Sequence, residues 1–301
     1  MWGSIAAQKY HVRWMEHHLP KDDSVSIHVY GTDLVGLSIV GPHSRDVLSS
    51  LCDVNVSNDG FRFLDFREFD VNGAPCLVNR ISFSGDLGYE IWMQAAYQRK
   101  VYSGIKAAGR PFNIIDFGMR ALLSMRLEKN FPTWFAELRP IYGPLEAGMS
   151  HFVKYDKPGF IGQDAAKQEA ETGGELRLVS FVVDADTADV MGDEPIWAKR
   201  SQSVPGITKP HGFGANRFTS DGSEIPRPEL QIDGDWRVVG WVTSGGYGHH
   251  VKASFAQGYI PKELATINVD GQFEIEILGA RRPAKLILKP LFDPEGIRMR
   301  S

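Results

Sequence analysis

The chain has 301 residues, 43% hydrophobic and 23% charged, enough for two domains with their own apolar cores and no need of disulfide staples. Its 33 basic and 37 acidic side chains leave a net charge of −4, without the basic excess of a general nucleic-acid binder. Thirty-one glycines and 17 prolines exclude a coiled coil or helical bundle, and no window approaches the roughly 18 apolar residues of a membrane span.

Residues 5–19 read as a helix with Tyr10, Trp14 and His18 on one face, ended by Pro20. The alternation of Val25, Ile27 and Val29 predicts a strand over 25–30, and 34–40 predicts a second. Gly41-Pro42 turns the chain into a short helix over 43–51. Phe61, Phe63 and Phe69 at odd positions predict a strand. Asn72-Gly73 is a hairpin signal, with 76–83 as the returning strand and 89–93 as another. Residues 95–108 read as a helix closed by Gly109, and 117–127 as a further helix.

Gly173-Gly174 reads as a linker, and beyond it the pattern changes. Short β runs at 176–183, 238–243, 273–278 and 284–288 are separated by Gly, Pro, Asp and Asn, the pattern of a small antiparallel barrel or sandwich. The long Gly/Pro-rich stretch over 201–228 is predicted to be a functional or mobile loop. The expected architecture is an α+β domain followed by an all-β domain.

The beginning of the chain has no basic, apolar and small-residue succession of a secretory leader, so a cytoplasmic, reducing setting is expected. Cys52 and Cys76 are then free thiols, too few for a four-ligand zinc site, and no metal is expected. Gly212-Phe213-Gly214 lacks the third glycine of a dinucleotide turn. Gly245-Gly246-Tyr247-Gly248 follows a strand without opening a helix, so no flavin or nicotinamide site is expected in this chain. His249 and His250, adjacent on extended backbone, would point to opposite faces and cannot chelate one ion. No nucleophile elbow is present.

Two segments carry more information. In Phe83-Ser84-Gly85-Asp86-Leu87-Gly88-Tyr89-Glu90, two glycines frame a tight turn and place Glu90 at the start of a strand. In residues 118–129, Arg120 and Glu128 fall about two turns apart, roughly on one helix face. Taken alone, each also fits a plain turn or a charged surface helix.

Together, and in this order, these segments resemble the folate-binding aminomethyltransferase family, that of the glycine cleavage T-protein. Within it the likeness is to the tetrahydrofolate-binding C-terminal regions of sarcosine and dimethylglycine dehydrogenases. It is carried by Leu37-Ser38-Ile39-Val40-Gly41-Pro42-His43-Ser44-Arg45, the turn from Gly85 to Glu90, and Arg126-Leu127-Glu128-Lys129-Asn130-Phe131-Pro132-Thr133-Trp134. Pro144-Leu145-Glu146-Ala147-Gly148-Met149, Phe160-Ile161-Gly162-Gln163, Val242-Thr243-Ser244-Gly245-Gly246-Tyr247-Gly248, Gly258-Tyr259-Ile260 and Pro290-Leu291-Phe292-Asp293-Pro294 continue it over nearly the whole chain.

The resemblance implies part of a three-lobed cloverleaf: a ferredoxin-like α+β folate-binding domain over 1–170 and a small antiparallel β-barrel over 175–301. It implies that Glu90 binds the pterin, whose pyrimidine edge offers an amino group and a ring N–H side by side. A carboxylate accepts both, at about 1.5–3 kcal/mol per charge-assisted hydrogen bond. Arg120 is implied to help hold the folate, Tyr89 or Trp134 to pack on the ring, and Glu128 to be structural.

Asp86 stands where many relatives carry glutamate. Relatives also begin well ahead of the helix at 5–19, with a segment bearing the catalytic aspartate, so a partial module is expected and catalytic residues stay unassigned. The implied activity is capture of a methylene group from an oxidised N-methyl amine as 5,10-methylene-tetrahydrofolate. Tetrahydrofolate is the implied cofactor, and FAD would sit on a separate domain or chain. The implied partners are folate, a small methylated amine and a flavin-containing dehydrogenase domain or subunit, with neither nucleic acid nor membrane. A tetrahydrofolate-dependent O- or S-demethylase and a non-catalytic folate-binding subunit are the alternatives.

Overall fold

The computed structural model describes residues 5–134, 136–199, 232–266 and 270–301. They fall into two units: Met1–Ile81 with Gly88–Ile114, and Ser82–Leu87 with Ile115–Ser301. The fold class is mixed α+β with a closed antiparallel barrel, as expected from the sequence. Among the described residues no helix is long and apolar enough to cross a membrane.

The first unit holds helix α1 (Ile5–His17), strand β1 (Leu34–Val40), helix α2 (Ser44–Ser49), strands β2 (Phe66–Val71), β3 (Ala74–Asn79) and β4 (Gly88–Gln94), and helix α3 (Gln98–Gly109). The strands form one antiparallel sheet in the order β1-β4-β3-β2. Asn72 and Gly73 both take positive φ, 51° and 66°, the two left-handed residues that a type I′ hairpin demands. The Asn72 amide donates to the Lys100 carbonyl and Lys100 Nζ to the Gly73 carbonyl, tying the turn to α3. Val47 and Leu48 of α2, and Val101 and Ile105 of α3, cover the face carrying Ile39, Val78, Tyr89, Ile91 and Met93, all buried.

Three expectations fail in this unit. Residues 25–30 form no strand, and Val25, Val29 and Tyr30 are exposed. Their alternation specifies two faces but supplies no neighbouring ladder. Phe61 and Phe63 precede the strand that holds Phe69, which begins at Phe66; Phe61 is buried by packing edge-on against Phe69. Gly109 is the last residue of α3 but does not turn the chain, which runs on through a short 3-10 turn to Asn113 in the left-handed conformation at φ 56°. A Cβ on Gly109 would lie 2.5 Å from Ile114, so the glycine answers to packing.

The second unit begins with helices α4 (Met119–Glu128) and α5 (Gln163–Thr172). Gly173 and Gly174, at φ 79° and 61°, turn the chain out of α5. Strands β5 (Leu176–Val183), β6 (Pro195–Lys199), β7 (Ile232–Asp233), β8 (Trp236–Gly248), β9 (Ala253–Pro261), β10 (Phe273–Ile277) and β11 (Ala280–Ile287) follow, then helix α6 (Ile297–Arg300). The ladder β6-β10-β11-β5-β9-β8 closes through β6–β8 pairing into a six-stranded barrel, with β7 added on β8. Phe181, Phe273, Val239, Ile260 and Leu286 lie in its core.

The glycines at 245, 246 and 248 sit within β8, not after a strand. A Cβ on Gly245 would lie 2.6 Å from Val190, and one on Gly248 the same distance from Phe255. These glycines permit close approach of neighbouring chain. The stretch at 201–228 lies outside the described residues.

Candidate functional site

The glycine-framed turn is built from its own hydroxyls. Gly85 N–H donates to Ser82 Oγ at 3.0 Å and Asp86 N–H to Ser84 Oγ at 3.3 Å. Gly85 takes φ 89°, and a Cβ there would lie 3.1 Å from Lys129 and Phe292 side-chain atoms, so both backbone and space require glycine. At Gly88, where β4 begins, a Cβ would lie 3.1 Å from the Ile81 carbonyl oxygen and from Val40.

Alternation along β4 then sorts its side chains. Tyr89, Ile91 and Met93 turn to the buried, helix-covered face. Glu90 and Trp92 turn to the other, half-buried face. Strand pairing sets Ser38 and Asn79 on either side of Glu90, with Phe66 beyond Asn79. The adjacent row is Gly36, Trp92, Leu77 and Glu68. A Cβ on Gly36 would come 2.9 Å from the Trp92 ring, so the missing side chain lets the indole lie over β1.

Burial pushes the Glu90 carboxyl above the ordinary glutamate range, and the Trp92 indole N–H beside it pulls partly the other way. Among the described residues no cation neutralises it. A carboxylate in this setting is a ready acceptor for paired N–H donors on a flat ligand, with an aromatic plane two residues along the strand.

Tyr89 stands with its back to this face. It is fully buried, stacks on Phe61 at 5.9 Å, and its hydroxyl accepts from Arg45 Nε at 3.3 Å. The ring expected to line a ligand beside Glu90 is thus part of the core, because neighbouring residues on a strand face opposite ways. Arg120 and Trp134 belong to the second unit. Arg120 is exposed on the first turn of α4, and Trp134, 45% exposed, bridges to Leu138.

Arg120 and Glu128 fall about 80° apart around α4, but the first is exposed and the second buried. Glu128 is buried at the end of α4, where Oε1 accepts the His250 N–H at 2.8 Å. His249 and His250 lie in the turn between β8 and β9, and no metal-holding group of His, Cys, Asp or Glu occurs among the described residues. Both cysteines are free, and burial pushes the Cys76 thiol up to about 11.

A heavily bonded buried carboxylate among the described residues of the second unit was not visible in the motifs. Glu137 is fully buried and accepts from Thr133 N–H and Oγ1, both at 2.7 Å, from Thr243 Oγ1 at 2.6 Å, and from Ser244 Oγ. Arg126 Nη1 lies 3.4 Å from it and also donates to the Phe131 carbonyl and Gln257 Oε1, while Nη2 donates to Ser244 Oγ at 2.6 Å. Tyr259 donates to the Glu137 carbonyl at 2.9 Å and stacks on Tyr142 at 3.6 Å. This network ties α4 to β8 and β9 and leaves the carboxylate no free lone pair for a ligand.

The family model for the GCVT N-terminal domain matches residues 1–157, and that for the glycine cleavage T-protein C-terminal barrel domain matches residues 217–293. The chain is 35% identical to mitochondrial dimethylglycine dehydrogenase of Mus musculus, over 89% of the chain and 27% of that protein. It is 30% identical to mitochondrial sarcosine dehydrogenase of Homo sapiens, over 89% of the chain and 26% of that protein. The chain thus spans about a quarter of the length of these two relatives. The crystal structure of glycine cleavage system aminomethyltransferase T from Bartonella henselae superposes with a TM-score of 0.63, covering 87% of the chain and 60% of that protein at 19% identity, a likeness of fold.

Proposed function

Because the chain belongs to the glycine cleavage T-protein family, whose aminomethyltransferases bind tetrahydrofolate, we propose that it captures a methylene group on that cofactor, as part of an N-methyl amine dehydrogenase. The observation that carries this reading is Glu90: a half-buried carboxylate without a counter-cation among the described residues, on a sheet face it shares with Trp92. Its two oxygens match the adjacent N–H donors of a pterin, and Trp92 supplies the aromatic wall.

In the proposed reaction a flavin domain outside this chain oxidises the N-methyl group of a small amine to an iminium. Tetrahydrofolate held by this chain would accept the methylene carbon, with release of the demethylated amine and a proton. This chain binds the pterin and orients it for that attack, the gain being one of proximity and alignment.

Isothermal titration with tetrahydrofolate tests the reading. Binding by the wild type and strong loss on Glu90→Ala are expected. No heat from the wild type, or equal affinity in the variant, overturns it. Adding a chemically generated iminium of dimethylglycine or sarcosine then tests methylene capture, with 5,10-methylene-tetrahydrofolate as the measured product.

A further inference from the structure

Glu90 has company on its face. The antiparallel register sets Ser38 of β1 directly across from it on one side and Asn79 of β3 on the other. Paired residues of neighbouring strands point to the same side of a sheet, with Cβ atoms about 4.5–5.5 Å apart. The three side chains form a straight row of hydroxyl, carboxylate and amide. Ser38 is exposed and Asn79 half-buried, and among the described residues no hydrogen bond engages either side chain.

The row has a chemical order: a donor, a pair of acceptors, a donor. The pyrimidinone edge of a reduced pterin has the complementary order of ring-nitrogen acceptor, amino donor, ring N–H donor and carbonyl acceptor. A carboxylate alone satisfies the inner two positions. It leaves the outer two acceptors to be desolvated without partners, which is costly.

We infer that Ser38 and Asn79 donate to those two outer acceptors, so that three cross-strand residues read the whole edge of the ring. The inference rests on the reading of Glu90 as the pterin ligand. Both are positioning and specificity residues. They fix the ring in its plane, and they select a ligand with acceptors on both sides of its donor pair.

The test titrates variants of the full chain with tetrahydrofolate. Ser38→Ala and Asn79→Leu should each weaken binding about 2- to 10-fold, the range for one neutral hydrogen bond. Ser38→Thr keeps the hydroxyl, suits a strand and should bind as the wild type does. Asn79→Asp turns a donor into an acceptor beside Glu90 and should weaken binding more than Asn79→Leu. Glu68→Ala, in the adjacent row, should leave affinity unchanged, with circular dichroism confirming that each variant folds.

Wild-type affinity in both Ser38→Ala and Asn79→Leu, with Glu90→Ala still impaired, overturns the row and leaves the Glu90 reading standing. Equal weakening by Glu68→Ala also overturns the row. A wild-type chain that does not bind at all removes the reading beneath it.

Discussion

Replacing Glu90 by glutamine should weaken folate binding while raising the stability of the unliganded chain at neutral pH. Burial raises the carboxyl pKa in the folded state, so the native protein holds this proton more tightly than the unfolded chain does. The stability the group contributes is therefore fully present below its unfolded pKa and is lost as pH rises through the folded pKa. In its ionised form the side chain is desolvated without a counter-cation among the described residues, and the neutral amide relieves that cost. The ligand experiences the opposite effect. Glutamine offers one acceptor where the carboxylate offers two, and it turns an N–H against the second donor. One charge-assisted hydrogen bond is lost, about 1.5–3 kcal/mol, or about 10- to 150-fold in Kd. Thermal unfolding from pH 7 down to about pH 4, near the unfolded glutamate value, measures the first effect. The variant should melt above the wild type at pH 7, and the gap should close on acidification. Calorimetric titration at pH 7 measures the second. A variant that melts lower at pH 7, or that binds tetrahydrofolate as tightly as the wild type, refutes the reasoning.

Gly36→Val should push the Trp92 indole off the sheet face, since a Cβ there lies 2.9 Å from the ring; tetrahydrofolate affinity should fall with the circular dichroism spectrum intact, and unchanged affinity would remove Trp92 as the ring wall. Glu137→Leu strands the buried Arg126 guanidinium and should cost about 3–5 kcal/mol in denaturant unfolding. Adding Arg126→Met should recover part of that loss, whereas a cost below about 1 kcal/mol for the single variant would refute a structural role. Cys76, with its thiol held near 11, should be about one part in a thousand thiolate at pH 8. A thiol reagent should label half-buried Cys52 first and both cysteines alike only after unfolding; prompt labelling of Cys76 in the native chain would contradict its burial.

Much of the first sheet was legible because local chemistry decides it. Asn72-Gly73 specifies a two-residue hairpin, and that loop alone fixes the pairing outward from Val71 and Ala74 to Phe66 and Asn79. Gly88 and the alternation after it place Glu90 on one face and Tyr89 on the other, so strand period alone turns Tyr89 away from the Glu90 side. The pairing of Asn79 with Glu90 was not legible, because it depends on how the turn from 82 to 87 brings β4 back beside β3. Strand β9 escaped for a different reason: nearly all its residues are buried, so no alternation marks it. The Arg126 network joins residues up to 131 positions apart, beyond any spacing argument.

Four glutamates of similar appearance in the sequence separate by how many donors each already has. Glu137 accepts four hydrogen bonds besides its arginine. Glu146 accepts the N–H groups of Gly143, Glu175 and Leu176 and anchors the linker after α5. Glu128 accepts the His250 N–H and fills the space left by Gly248. Each is nearly sealed from solvent and spends its lone pairs inside the protein. Glu90 has the Trp92 indole beside it, lies at partial exposure, and has its pKa raised by burial. A partly desolvated carboxylate costs stability unless something completes it. Among the described residues that completion is missing, and in the proposed reading a planar ligand with two adjacent N–H groups supplies it. Donor count thus points to Glu90 and away from the other three as the proposed pterin ligand, although Glu128 and Glu146 also lie in segments that carry the family resemblance.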